Sequence, residues 1–326
     1  MDNDLTNLSL SDNPAKIRTK VSHDAQEHAH NISDWQQQYD QISAGSFYGC
    51  TTERAFHNLQ IFKEHTSQSI NQQCLVWPDS IWIGIPVPTG QQENKSRING
   101  LTLGKNDVMC RLGNTQFELS TPSNFDIYGI VISQNEIVNK ANAQGLTLNW
   151  SDIHNNERLR IPDDTINSMS FLIERVLKSD KSGNKIPPDH LTQDLISMGL
   201  LEMLAKESPN NLIDNSYQNR KKIVDMARMY LDQNADQAIT ITQICEVCHT
   251  SRRTLQNSFE SILGLSPIQY LRYTRLNGVR RDLKNAGVQD KVGDIAAKWG
   301  FWHLSQFAKD YKNVFGELPK QTLGFR

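Results

Sequence analysis

Residues 245–249 read CEVCH, the spacing at which c-type haem is covalently attached. The surrounding residues argue against that chemistry. Ile241, Ile244, Cys245 and Cys248 recur at i, i+3, i+4 and i+7, so both cysteines belong to one apolar helical stripe. The chain has five cysteines (Cys50, Cys74, Cys110, Cys245, Cys248), and its first residues, MDNDLTNLSLSDNPAKIRTK, lack the basic and apolar regions of an export signal. Reduced, mostly buried thiols in a cytoplasmic protein are therefore expected. A metal or redox role would need a second CxxC or ligand pair in this region, and there is none. His23, His28 and His30 lie close together in a polar stretch that reads as a solvated tail. The β-rich region offers His57 and His65 without H-x-H spacing, and no phosphate-cradling glycine loop is visible. The expectation is no catalytic residue, no metal, no cofactor and no enzyme activity.

A second kind of chemistry suits the C-terminal third better: hydrogen bonding to base edges. Arg252, Arg253, Gln256 and Asn257 fall on one helical face. Arg can pair with guanine through two bonds, and Gln or Asn with adenine. Ser305, Gln306, Lys309 and Lys312 form a comparable face further on. These eight are the candidate DNA-binding residues.

Such residues need elements to aim them. Thr240 followed by Gln243 is a capping box that starts a short helix. His249-Thr250 makes the turn, Ser251 caps the next helix, and Gly264 ends it. Leu255, Phe259, Ile262 and Leu263 line its buried side, which completes a helix-turn-helix. Ser266-Pro267 then starts a long helix running to Gly287. About 20 residues at ~1.5 Å each give a spacer of ~30 Å. The pattern then returns. Residues 293–300 form a second short helix with Gly300 at the turn, and His303 to Val314 a second recognition helix packed through Phe301, Phe307, Tyr311 and Phe315. Ile244, Cys245 and His249 correspond to Ile295, Ala296 and Gly300, and the second copy has one extra residue after the turn. Two recognition helices at this spacing suit successive major grooves, ~34 Å apart on one face of the duplex, with the DNA bent toward the protein.

Composition supports a division of labour. The net charge of −2 splits into −8 over residues 1–212, with 17 Lys+Arg against 25 Asp+Glu, and +6 over residues 213–326, with 17 against 11. Only the second part is suited to a polyanion. Residues 1–44 read as a loose polar leader with room for a short helix. Short segments such as IWIGIPV (81–87) and IYGIVIS (127–133) mark residues 45–135 as a β-barrel or sandwich. Trp77 and Trp82 in this region read first as core and second as the lining of an effector pocket. Residues 136–212 are a helical linker whose apolar faces, over 163–177 and 190–205, suit either core packing or a dimer interface. No run of ~18 apolar residues exists, so no membrane partner is expected.

Residues TLQNSF (254–259), GLSPIQYLRYTRLN (264–277), DIAAKWGF (294–301) and FGELPKQTL (315–323) resemble the AraC/XylS family of bacterial transcription regulators. SRRTLQ (251–256), RLNGVRRDL (275–283) and WGFWHLSQFAKDYK (299–312) are similar to the branch of ethanolamine-utilisation operon regulators. INGLTLGKNDVM (98–109) and FELSTPSNFDIYGIVI (117–132) are similar to that branch's N-terminal domain. The resemblance implies an α+β protein of two domains. A cupin-like β-barrel with a helical linker precedes an all-α domain, residues 213–326, of two helix-turn-helix units joined by a long helix. It implies a transcription activator that binds double-stranded promoter DNA and RNA polymerase. It also implies a small-molecule effector such as ethanolamine, and a homodimer. The alternatives are a β domain that only dimerises, or a cupin-type enzyme tethered to a DNA-binding domain. The family's base-contact positions fall on Arg253, Gln256 and Asn257, and on Ser305, Gln306 and Lys309. The sequence departs from the family at His249, where Gly is usual, at Lys291, where a Ser or Thr cap is common, and at Asn257 and Gln306, where Arg is frequent.

Overall fold

A computed structural model of the chain describes residues 16–87, 96–148, 156–178, 188–206, 215–234 and 239–324, with a few positions between them. The N-terminal part is built on two antiparallel sheets. The larger has the order β1 (Arg18–Ser22), β3 (Gly49–Ala55), β4 (Leu59–Thr66), β11 (Phe125–Ser133), β6 (Ser80–Pro86), β9 (Asp107–Leu112), β12 (Arg158–Arg160) and β13 (Ser208–Pro209). The smaller has the order β2 (Gln36–Gln41), β5 (Ile70–Leu75), β10 (Phe117–Thr121), β7 (Arg97–Ile98) and β8 (Leu101–Thr102). Among the described residues the strands form two open sheets and no closed barrel.

The run IWIGIPV has apolar residues on both sides because both faces of the large sheet are covered. Along β11, Phe125, Ile127 and Val131 point into the layer between the sheets, with Trp82, Phe117 and Met109. The alternate residues Tyr128, Ile130 and Ile132 face helices α2 (Gln134–Ala143), α3 (Asp163–Lys178) and α4 (Asp189–Ala205), against Ile137, Met169, Ile173 and Leu200. This is the period-2 alternation of a strand with two apolar environments in place of one. Gly129 sits where the Phe62 ring crosses β11, and a Cβ there would lie 2.0 Å from that ring. Trp82 is core, stacked on Phe117 at 4.8 Å, as its first reading held.

Three expectations are corrected. Residues 16–44 are not a loose leader: they supply β1 to one sheet, β2 to the other, and the short helix α1 (Ala25–His28) between them. His28 is not solvated. It is fully buried, with Nε2 3.0 Å from a Glu64 carboxylate oxygen and Nδ1 3.0 Å from the Asn31 amide. The β region does not stop at residue 135, because β12 and β13 extend the large sheet beyond α2. In each case the missing information was a partner distant in sequence: strand pairing for β1, β2, β12 and β13, and Glu64 for His28.

The C-terminal part is all helical: α5 (Asn215–Gln233), α6 (Ile241–Val247), α7 (Arg252–Leu263), α8 (Pro267–Asn285), α9 (Val292–Lys298), α10 (Leu304–Phe315) and α11 (Pro319–Gly324). It has two cores. Val224, Leu231, Ile244, Leu255 and Phe259 centre one, and Leu276, Val279, Ala296, Phe307 and Tyr311 the other. The long helix α8 contributes to both.

Candidate nucleic-acid interface

Helix α6 begins at a complete capping box: the Thr240 amide donates to Gln243 Oε1 at 2.8 Å, and the Gln243 amide to Thr240 Oγ1 at 3.3 Å. It ends in a turn with His249 in the left-handed region, φ 47°. Gly300 holds the matching place in the second unit at φ 75°. Ser251 Oγ then accepts from the Thr254 amide at 3.1 Å and starts α7. Gly264, at φ 72°, ends it, and Gly316, at φ 76°, ends α10. Between the units, α8 opens on a second capping box, Ser266 with Gln269. Its 19 residues span about 28 Å at ~1.5 Å each.

These elements present the candidate residues as two polar faces. Arg252, Arg253 and Asn257 are exposed on α7, opposite Leu255, Phe259 and Ile262. Gln256 is half-buried and donates one amide N–H to Glu260 at 2.5 Å, which leaves its Oε1 and second N–H for a base edge. Ser305, Gln306, Lys309 and Lys312 are exposed on α10, opposite Phe307, Tyr311 and Val314. Gln306 is likewise held, by Asp310 at 2.7 Å. Lys291 and His303 make no side-chain cap bond to α9 and α10, so the second unit is less tightly started than the first.

CEVCH is scaffold here. Cys248 is buried and its Sγ lies 3.7 Å from the Ile223 carbonyl; burial pushes its thiol pKa up. Cys245 is only half-buried, on the edge of the stripe, and both are free thiols. A residue of low, reactive thiol pKa would need the opposite environment.

Sequence reasoning missed where other basic residues go. Arg228 of α5 and Arg280, Arg281 and Lys284 of α8 turn away from the two polar faces toward the β domain. Arg280 Nε meets Asp24 at 2.5 Å, Lys284 meets Asp24 at 3.0 Å and Glu27 at 2.6 Å, and Arg228 meets Glu118 at 2.6 Å. Arg281 pairs with Asp40. Burial pushes the Asp24 carboxyl up, but Arg280 and Lys284 outweigh it and hold the group below its ordinary value. For Asp40 burial wins over Arg281, and its carboxyl is raised. Tyr270, buried beside Arg228, is pushed up to about 12, chiefly by burial. Between these pairs Asn277 closes the open edge of β2: its Oδ1 accepts from the Gln41 amide at 3.0 Å and its Nδ2 donates to the Gln41 carbonyl at 2.9 Å. A narrow cleft open to solvent remains at this junction, lined among others by Asp40, Asn71, Ser120, Arg228, Tyr273 and Thr274. The only sequence trace of all this is the basic run RLNGVRRDLK (275–284). Its acidic partners in the β domain lie more than 200 residues earlier, while Arg280 also pairs with Glu317 of its own domain at 2.8 Å.

Comparison with known proteins gives this geometry a context. A helix-turn-helix domain family matches residues 244–324, which run from within α6 to α11. The chain is 37% identical over 102 residues to a probable thc operon regulatory protein of Rhodococcus erythropolis, spanning 31% of each. It is 30% identical over 136 residues to XylDLEGF operon transcriptional activator 2 of Pseudomonas putida, covering 41% of this chain and 83% of that protein. The chain belongs to the AraC/XylS family of transcription regulators. The AraC/XylS likeness is carried by the C-terminal third, and the aligned region spans about a third of the length of the Rhodococcus relative. Among solved structures, a probable AraC family regulator from Rhodopseudomonas palustris is 30% identical at a TM-score of 0.29, covering 31% of this chain and 94% of that one. The AraC-like activator CuxR is 14% identical at 0.41, covering 87% of this chain. As an AraC/XylS member, this chain carries the extra residue of its second turn on the exposed side, at Trp302. None of its described helices is long and apolar enough to cross a membrane.

Proposed function

We propose that this chain is a sequence-specific DNA-binding transcription activator that acts in the cytoplasm on double-stranded promoter DNA, together with RNA polymerase. The carrying observation is the pair of exposed polar faces on α7 and α10, set at the two ends of a ~28 Å helix. In this reading Arg253, Gln256 and Asn257, and Ser305, Gln306 and Lys309, contact bases. Arg252 and Lys312 add positive charge to the same faces. Phosphate contacts supply affinity and a steep salt dependence, and the polar side chains supply sequence. The β domain senses a small metabolite; ethanolamine is the candidate its sequence resemblance suggests, and a cupin-like origin fits its two facing sheets. Phe171, Leu191, Leu195 and Met198 are exposed on α3 and α4, on the sides turned away from the core, which supports a second copy of the chain as partner there.

The test is a duplex selected from a random pool by the full chain. Arg253→Ala is expected to lose about 1–3 kcal/mol on that duplex and to relax preference at one base pair. Equal weakening on selected and random DNA would refute the base-reading role.

A further inference from the structure

The two helix-turn-helix units correspond residue for residue up to the turn and again from the cap, but not between. His249 and Gly300 both take the left-handed conformation. The next residues also match: the Thr250 amide donates to the Cys245 carbonyl at 3.0 Å, and the Phe301 amide to the Ala296 carbonyl at 3.0 Å. In the first unit the cap, Ser251, follows at once. In the second the cap is His303, and Trp302 stands between. The extra residue of the second unit is therefore Trp302.

This insertion carries the largest side chain available, and the fold leaves it in water. Trp302 is 68% exposed, while Phe307, Tyr311 and Phe315 of the same unit are buried. Its neighbour Trp299 is anchored by an indole N–H bond to Asp282 at 2.9 Å. The Trp302 indole has no partner among the described residues. It also displaces the cap: His303 makes no side-chain bond to the first turn of α10, where Ser251 does in α7. A side chain that is two-thirds exposed and stands where the first unit has its cap adds little to the folded chain's stability. Its place, two residues before α10 and next to Ser305 and Gln306, is the end of a recognition helix that enters the groove.

We propose that Trp302 is a specificity-determining residue whose ring packs on thymine C5-methyl groups at the edge of the second unit's major-groove contact. This rests on the DNA-binding reading above. Thymine is the one base that offers an apolar group in the major groove, and an indole has no charge with which to prefer a phosphate. The contact extends the polar face of α10 and adds sequence preference beyond Ser305, Gln306 and Lys309.

The experiment uses the full chain and its selected duplex, with deoxyuridine replacing thymidine one position at a time. Wild type is expected to lose about fourfold in affinity at one or two thymines, the value of one buried methyl group. Trp302→Ala is expected to bind on the order of tenfold more weakly. It should show no penalty at those same thymines, and Trp302→Phe should restore it. A uracil penalty that persists unchanged in Trp302→Ala, or no penalty in wild type, overturns the proposal while leaving DNA binding intact. Failure of wild type to enrich any sequence overturns the DNA-binding reading and this proposal together. Circular dichroism of each variant, expected to match wild type because the side chain is exposed, separates lost contact from lost fold.

Discussion

Asn277→Ala removes one side chain from the middle of α8 and is expected to loosen the junction between the two parts of the chain. Asn277 is 4% exposed and makes three bonds: it accepts from the Gln41 amide, and donates to the Gln41 and Tyr273 carbonyls at 2.9 and 2.8 Å. Gln41 is itself 2% exposed, at the end of β2, the outermost strand of its sheet. Truncation leaves one N–H and one C=O of Gln41 without partners in a buried place, at ~1–3 kcal/mol each. Alanine is the better helix former and returns ~0.5 kcal/mol. A net loss of ~1.5–5.5 kcal/mol follows if water does not replace the amide. Urea unfolding gives the magnitude, and hydrogen exchange at the Gln41 amide locates it. Asn277→Asp, which keeps the acceptor but turns an oxygen toward the Gln41 carbonyl, should cost at least as much. A cost below ~0.5 kcal/mol, with Gln41 exchange unchanged, would show that the strand edge is not closed by this residue.

His249→Gly is expected to be neutral or stabilising by up to ~1.5 kcal/mol. It relieves a left-handed non-glycine residue worth ~1–2 kcal/mol, at an entropic cost of ~0.5–1 kcal/mol. Marked destabilisation in a thermal melt would give the exposed imidazole a structural role. The Asp24 carboxyl is lowered in the folded chain, so its pairing with Arg280 and Lys284 stabilises fully above the ordinary value of 3.8 and is lost as pH falls through the folded value. The Tm difference between wild type and Asp24→Asn should hold steady above about pH 5 and shrink toward pH 2. A difference independent of pH would mean that Asp24 acts through its hydrogen bond to the Glu27 amide alone.

Electrostatics explains why a +6 segment is a DNA-binding candidate even though several of its cations are used internally. Arg228, Arg280, Arg281 and Lys284 are paired with Glu118, Asp24, Asp40 and Glu27 of the acidic first part. Arg252, Arg253, Lys309 and Lys312 remain exposed on the recognition faces. The charge split along the chain therefore serves two interfaces: one inside the molecule, and one proposed with nucleic acid. The internal one is partly buried, so salt screens it less than surface pairs.

The helix-turn-helix units were legible in the sequence because their signals are local. The Thr240–Gln243 box, the Ser251 and Ser266 caps, and Gly264 act within one turn of where they stand. The polar faces of α7 and α10 followed from the 3.6-residue period alone. The one-residue insertion was also visible, though not which residue it was; the paired hydrogen bonds of Thr250 and Phe301 assign it to Trp302. What tertiary structure decided was long-range pairing. Nothing near Arg18 or Gln36 in the sequence announces an edge strand. His28 became a buried partner of Glu64, and Asn277 the mate of Gln41, only when distant segments met. Local backbone preference carries a helix and its caps, while a strand edge or a buried ion pair is set by a partner whose position in the chain the sequence does not reveal.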